Sequence, residues 1–135
     1  MGKFVFGKRS NEKLSGVEPE VKELCELALK FTKIDFGVID GLRTAEEQQT
    51  LYKQGKTELD GFSRKSCHQS GKAVDVIPIS KEYDIWNVDN PHVAYLWLEV
   101  YRAFMRASKK LGLQLEFGVG YNISGGRDYP HISVL

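Results

Sequence analysis

Cysteine is scarce in this chain of 135 residues: Cys25 and Cys67 are the only two. One falls on an apolar helical stripe and the other in a polar loop, which is no disulfide framework of a small secreted domain, and both are read as free thiols. No charge of one sign dominates. Nineteen Lys and Arg stand against eighteen Asp and Glu, a formal net charge of +1, which argues against a dedicated nucleic-acid binder with its basic excess. No apolar run is long enough to span a bilayer. The opening Met1 to Arg9 lacks the apolar stretch and small-residue cleavage site of a signal peptide. These absences predict a protein made and folded in a cytoplasm, without membrane insertion. Repeats, low-complexity stretches and linkers are also missing. The length therefore predicts one domain, residues 1–135, able to bury a core without help from disulfides or metal.

The remaining pattern mixes helices and strands. Lys3 to Phe6 reads as a short strand or an extended arm. Pro19 opens a helix where its missing N–H is harmless, and Val21, Leu24, Cys25, Ala28 and Phe31 recur at helical spacing. Phe36 to Leu42 reads as a strand. Thr44 and Glu47 have capping-box spacing, so a second helix starts there and ends at Gly55. Lys56 to Lys72 is a long polar loop of the kind that often carries function. Ala73 to Ile79 is a strand in which Pro78 suggests an edge or a bend. Asn90-Pro91 opens a long helix whose apolar stripe runs from Val93 through Trp97, Val100 and Phe104 to Leu111. Its aromatic residues Tyr95, Trp97, Tyr101 and Phe104 are read as core. Leu113 to Phe117 and His131 to Leu135 are strands on either side of a glycine-rich loop. Without regular βαβ alternation, the pattern predicts an α+β fold with a small, largely antiparallel sheet and about three helices.

Chemistry concentrates in few residues. His68 and Asp75 share one segment, and His131 lies almost at the end of the sequence. Two imidazoles and a carboxylate are a common ligand set for a catalytic zinc that keeps a fourth position for water. Asp75 interrupts the apolar run Ala73-Val74-Asp75-Val76-Ile77, where an unpaired carboxylate is costly. A metal would compensate it. The bland alternative makes His68 a solvated loop residue, pairs Asp75 with a basic side chain and buries His131 as a core histidine. Asp128, three residues before His131, is either the carboxylate that a zinc hydrolase needs for proton transfer or a turn residue after two glycines. Arg43, between a strand and a helix cap, either holds a substrate carboxylate or oxyanion or forms an ordinary surface contact. His92 reads as a surface group and only secondarily as a replacement ligand. Cys67 adjoins His68, and adjacent residues rarely reach one ion. Trp86 and Tyr121, both in loops, either line a cleft or cover the core.

These same residues carry a resemblance. Gly41-Leu42-Arg43-Thr44, Glu47-Gln48, Leu51-Tyr52-Lys53-Gln54-Gly55, then Ser66-x-His68-x-x-Gly71-x-Ala73-x-Asp75 and Asp128-Tyr129-Pro130-His131 resemble the M15 zinc peptidases. Within them the chain is most similar to bacteriophage endolysins that act as L-alanyl-D-glutamate peptidases, with D-alanyl-D-alanine carboxypeptidases as further relatives. The resemblance implies a hedgehog/DD-peptidase-like fold and one Zn2+ held by His68, Asp75 and His131. It implies Asp128 as the catalytic acid and base, Arg43 as a catalytic and substrate-binding residue, and Ser66 and Tyr121 beside the substrate. The implied partner is bacterial peptidoglycan, met by a monomer after a holin opens the host membrane. Which stem-peptide bond is cut, L-Ala-D-Glu or D-Ala-D-Ala, stays open, as does a non-catalytic wall-binding module. Two positions depart from the family pattern. Ser133 stands where an acidic residue or glutamine is frequent, and Gly120 where an aspartate often precedes the aromatic.

Overall fold

The computed structural model describes residues 3–56, 59–61, 67–120 and 128–135. Four α-helices are present among them: α1 (Lys8–Leu14), α2 (Pro19–Phe31), α3 (Ala45–Lys53) and α4 (Pro91–Leu111). Four strands, β1 (Phe36–Asp40), β2 (Ala73–Pro78), β3 (Leu115–Phe117) and β4 (His131–Val134), form one antiparallel sheet in the order β1-β2-β4-β3. The α+β reading holds, with one helix more than expected.

The extra helix, α1, has no apolar stripe for periodicity to find. It buries only Ser10 and Leu14. Its anchor is polar: the Val38 N–H donates to Ser10 Oγ at 3.0 Å, tying the helix to β1. Lys3 to Phe6 is an extended arm that joins no strand ladder, although Phe6 sets its ring edge against Phe36 at 5.6 Å. The other helices begin and end as their caps dictate. Thr44 and Glu47 form the reciprocal capping box of α3. Asn90 accepts from the His92 N–H at the start of α4, and Gly112, at φ +71°, closes it in the left-handed conformation that glycine adopts without strain.

Helices α2 and α4 pack together over one face of the sheet. The core between them joins Leu24, Ala28, Phe104 and Ala107 to Phe36, Val38, Val74, Val76 and Ile132 from the strands. Successive strand residues point to opposite faces. Because Val74 and Val76 face the helices, Asp75 faces the other side. Because Ile132 and Val134 belong to the core, His131 and Ser133 also face away from it. The helices thus fix which side of the sheet is free for chemistry.

Two expectations change. β2 is an inner strand, flanked by β1 and β4, not an edge. Pro78 is tolerated because β4 reaches only as far as Ala73–Asp75, while Pro78 lies opposite Phe36 of β1 alone. The aromatic set of α4 is also split: Trp97 and Phe104 are buried, whereas Tyr95 is exposed.

Candidate metal centre

A register irregularity prepares the site. Between Val38 and Asp40 the β1–β2 pairing shifts, so that Val38 faces Val76 and Asp40 faces Asp75. The extra residue turns the end of β1 over, and two carboxylates come to lie opposite each other. Like charges so placed repel. Arg43 stands between them. Its Nη2 donates to Asp40 Oδ2 and lies 3.8 Å from Asp75 Oδ2. Its Nη1 donates to Gln48 Oε1 at 2.5 Å. Gln48, fully buried on α3, donates in turn to the Leu59 carbonyl at 2.7 Å. With its side chain only 10% exposed, Arg43 is no surface arginine.

His68 sits in a 3-10 turn, Cys67–Ser70, that ends at Gly71. Gly71 has φ +74°, and a Cβ there would come within 3.2 Å of the Glu18 nitrogen. Only glycine fits this turn comfortably. Two further bonds position the histidine. The Arg43 N–H donates to the His68 carbonyl at 3.0 Å, and the His68 ring places Nδ1 2.9 Å from the Gly41 carbonyl. A carbonyl accepts but cannot donate, so Nδ1 carries the proton and Nε2 presents its lone pair.

That lone pair points into the cluster. His68 Nε2 lies 3.2 Å from His131 Nδ1 and 3.2 Å from Asp75 Oδ1. The third side of the triangle, His131 Nδ1 to Asp75 Oδ1, is 3.7 Å. Both histidines are buried. Asp75 Oδ1 is buried as well and has no hydrogen-bond partner among the described residues. Such an orphaned oxygen is expensive. A tetrahedral ion with ligands at about 2.05 Å needs donor atoms about 3.3 Å apart. Two edges match that requirement and the third, at 3.7 Å, is within about 0.4 Å of it, so the residues fit a metal ion, and the chemistry of the donors suits a zinc-like cation. The bland alternative accounts for only part of the arrangement. Arg43 approaches Asp75 Oδ2, but it leaves Oδ1 unsatisfied.

The electrostatics follow the same geometry. Burial pushes the Asp75 carboxyl up, yet the two imidazoles outweigh it and hold the group well below the usual carboxylate range. Burial lowers His68 and the adjacent Asp75 more than restores it, so His68 is raised overall. Asp128 moves the other way: burial, then the charge of Asp75, raise its pKa against the opposing pull of His131, His68 and Arg43.

Asp128 begins the turn that delivers His131. The His131 N–H reaches the Asp128 carbonyl at 3.4 Å, and the Val76 N–H donates to the Pro130 carbonyl at 3.0 Å. The Tyr101 hydroxyl on α4 donates to the Tyr129 carbonyl at 2.9 Å. Gly118 lies beneath: its ideal Cβ would stand 2.3 Å from the Asp128 carbonyl oxygen and 2.6 Å from His131 Cβ. On its far side His131 places Nε2 against the hydroxyl of Ser133.

Of the residues singled out in the sequence, His68, Asp75 and His131 form one cluster, with Arg43 beside it. His92 is outside that group; it is exposed and stacks on Tyr83 at 5.4 Å. Trp86, 55% exposed, lies 5.7 Å from the Trp97 ring. Ser66 and Tyr121 lie outside the described residues, as does the side chain of Cys67. Cys25 is a free, buried thiol. Sequence reasoning missed Asp40, Gln48, Gly118 and the contact made by Ser133. Asp40 had a usable signal, being a second carboxylate at the end of an apolar strand run. Gln48 stood in the family motif without a role, and the contacts of Gly118 and Ser133 follow from how their segments fold together.

Comparisons with known proteins identify the family. The family model for phage L-alanyl-D-glutamate peptidase matches residues 1–132. The L-alanyl-D-glutamate peptidase of Escherichia phage T5 is 34% identical over 122 residues, covering 90% of this chain and 85% of that protein. The peptidoglycan L-alanyl-D-glutamate endopeptidase CwlK of Bacillus subtilis is 31% identical over 134 residues, covering 90% and 75%. Among solved structures, the Serratia marcescens L-Ala D-Glu endopeptidase ChiX superposes with a TM-score of 0.77 at 26% identity, over 98% of this chain and 92% of that one. The D,D-dipeptidase VanXYg shares the fold at 19% identity, with a TM-score of 0.54 over 87% of this chain and 50% of its own. With nearly the whole length matched and two relatives above 30% identity, this chain belongs to the phage L-alanyl-D-glutamate peptidase family.

Proposed function

We propose that this chain is a zinc-dependent peptidoglycan peptidase, a phage endolysin that hydrolyses the L-Ala–D-Glu amide of the cell-wall stem peptide. The donor triangle around the orphaned Asp75 Oδ1 carries the reading, and family membership points to the bond. His68 Nε2, Asp75 Oδ1 and His131 Nδ1 hold the ion. Zinc, when bound there, supplies Lewis acidity that polarises the scissile carbonyl and acidifies water.

The chain's own residues do the rest. Asp128 accepts a proton from the attacking water on its carboxylate and passes it to the nitrogen of the departing D-Glu. The upward shift of its pKa by burial and by Asp75 suits a group that must hold that proton between the two transfers. Arg43, locked by Asp40 and Gln48, offers a fixed cation to the developing oxyanion or to a substrate carboxylate. The family resemblance adds Ser66 and Tyr121 as substrate contacts. The protein acts as a single catalytic domain and a monomer, is made in the host cytoplasm, and reaches the wall once a holin opens the membrane. Host lysis is the result.

Digestion of purified peptidoglycan with zinc-loaded protein, followed by mass spectrometry of the muropeptides, tests the reading. New L-Ala carboxyl termini and D-Glu amino termini are expected, and a chelator abolishes them. Release of terminal D-Ala instead would make the protein a D,D-carboxypeptidase. Absence of any chelator-sensitive cleavage would leave a wall-binding module.

A further inference from the structure

His131 presents Nδ1 to the cluster, whereas His68 presents Nε2. A neutral imidazole has one N–H and one lone pair, so His131 can ligate through Nδ1 only while the proton sits on Nε2. The partner of Nε2 is the Ser133 hydroxyl. Ser133 is fully buried, so bulk water does not compete for the contact. It lies two residues from His131 on the same face of β4, and its position is fixed on both sides, opposite Ala73 of β2 and Glu116 of β3. A hydroxyl can donate or accept; when it accepts from Nε2–H, the Nδ1 lone pair faces inward.

We propose that Ser133 is a positioning residue that holds the His131 ring with Nδ1 toward the metal site by accepting from Nε2–H. The inference rests on the metal reading above and adds to it the way the third ligand is prepared. His68 receives the equivalent service from a backbone carbonyl, that of Gly41. The two histidines are thus oriented by unlike acceptors, and only the one behind His131 is open to mutation.

Nitrogen-resolved histidine NMR of the zinc-loaded wild-type protein reads directly which ring nitrogen of His131 keeps its proton. His131 is expected as the Nε2–H form; an Nδ1–H form would overturn the proposal. Zinc affinity by competition with a chromophoric chelator is the second measurement. Loss of an outer hydrogen-bond partner typically weakens metal binding by about 10–100-fold, and that loss is expected for Ser133→Ala. Ser133→Thr, which keeps the hydroxyl, should stay within about threefold of wild type. An alanine variant that folds and binds zinc like wild type, or a threonine variant as weak as alanine, would refute the role of the hydroxyl. A wild-type protein that binds no zinc would sink the metal reading itself, a result distinct from a failure confined to the variants.

Discussion

Replacing Gly118 by alanine is the sharpest test of how the site is built. The backbone angle is not the obstacle, because Gly118 is not among the glycines with positive φ. The obstacle is space. The new Cβ would lie 2.3 Å from the Asp128 carbonyl oxygen, 2.6 Å from His131 Cβ and 3.0 Å from Asp128 Cβ. Ordinary contact begins near 3.4 Å, so relief requires a movement of about 1 Å between two backbone segments. Neither is the far end of a flexible side chain. One holds the proposed proton carrier and the other a proposed ligand, so the strain falls on the chemistry. Overpacking of this kind costs about 1–3 kcal/mol, and a displacement near 1 Å at a reacting centre costs about 100-fold in rate. Gly112→Ala is the matched control. Gly112 has φ +71° and open space around its ideal Cβ. Alanine there costs about 1–2 kcal/mol through left-handed backbone strain and leaves the cluster untouched. Thermal melting, zinc affinity and kcat/KM on stem peptide should therefore separate the two. Both variants melt lower, by about 3–5 °C per kcal/mol for a chain of this size. Gly118→Ala alone loses affinity and about 100-fold in rate. Equal activity losses in both, or none in Gly118→Ala, would refute the packing argument.

Acid stability offers a second check. In the metal-free protein, the depressed Asp75 contributes stability that is present above the ordinary carboxylate value near 3.9 and is lost as pH falls toward its lower folded value. Asp75→Asn should therefore lose less of its melting temperature between about pH 4 and pH 2 than wild type does; parallel profiles would contradict the assignment. Gln48→Leu keeps volume but removes the bonds to Arg43 and to the Leu59 carbonyl. It should cost about 2 kcal/mol, since one partner is charged, and lower the rate by freeing Arg43. Unchanged melting and kinetics would show that this network is dispensable.

The parts legible in the sequence were those governed by local rules. The capping box at Thr44 and Glu47, the Asn90-Pro91 start and the Gly112 stop each lie within a few residues of the structure they specify. The stripe from Val93 to Leu111 named a buried helix face, and Tyr95, which lies off that stripe, stays outside. Asp75 stood out because a carboxylate in an apolar strand is unusual whatever the fold. What stayed hidden depends on pairing between distant segments. Helix α1 is held by one serine hydroxyl against β1 and one buried leucine, Leu14, too few apolar positions for a periodicity. The bulge that sets Asp40 opposite Asp75 is a property of register, not of either strand alone. Ser133 was visible only as a departure from a family pattern. Its hydroxyl stands behind the histidine, against Nε2 of His131.

His68 is tied down at three points. Its carbonyl is held by the Arg43 N–H, its ring by the Gly41 carbonyl, and the Gly71 carbonyl just beyond by the Glu18 N–H at 2.9 Å. Ahead of the turn, the Leu59 and Gly61 carbonyls accept from Gln48 and Gln69. Gln48 also grips Arg43, so the proposed ligand and the fixed cation share one scaffold, and a disturbance of either reaches the other through a single glutamine.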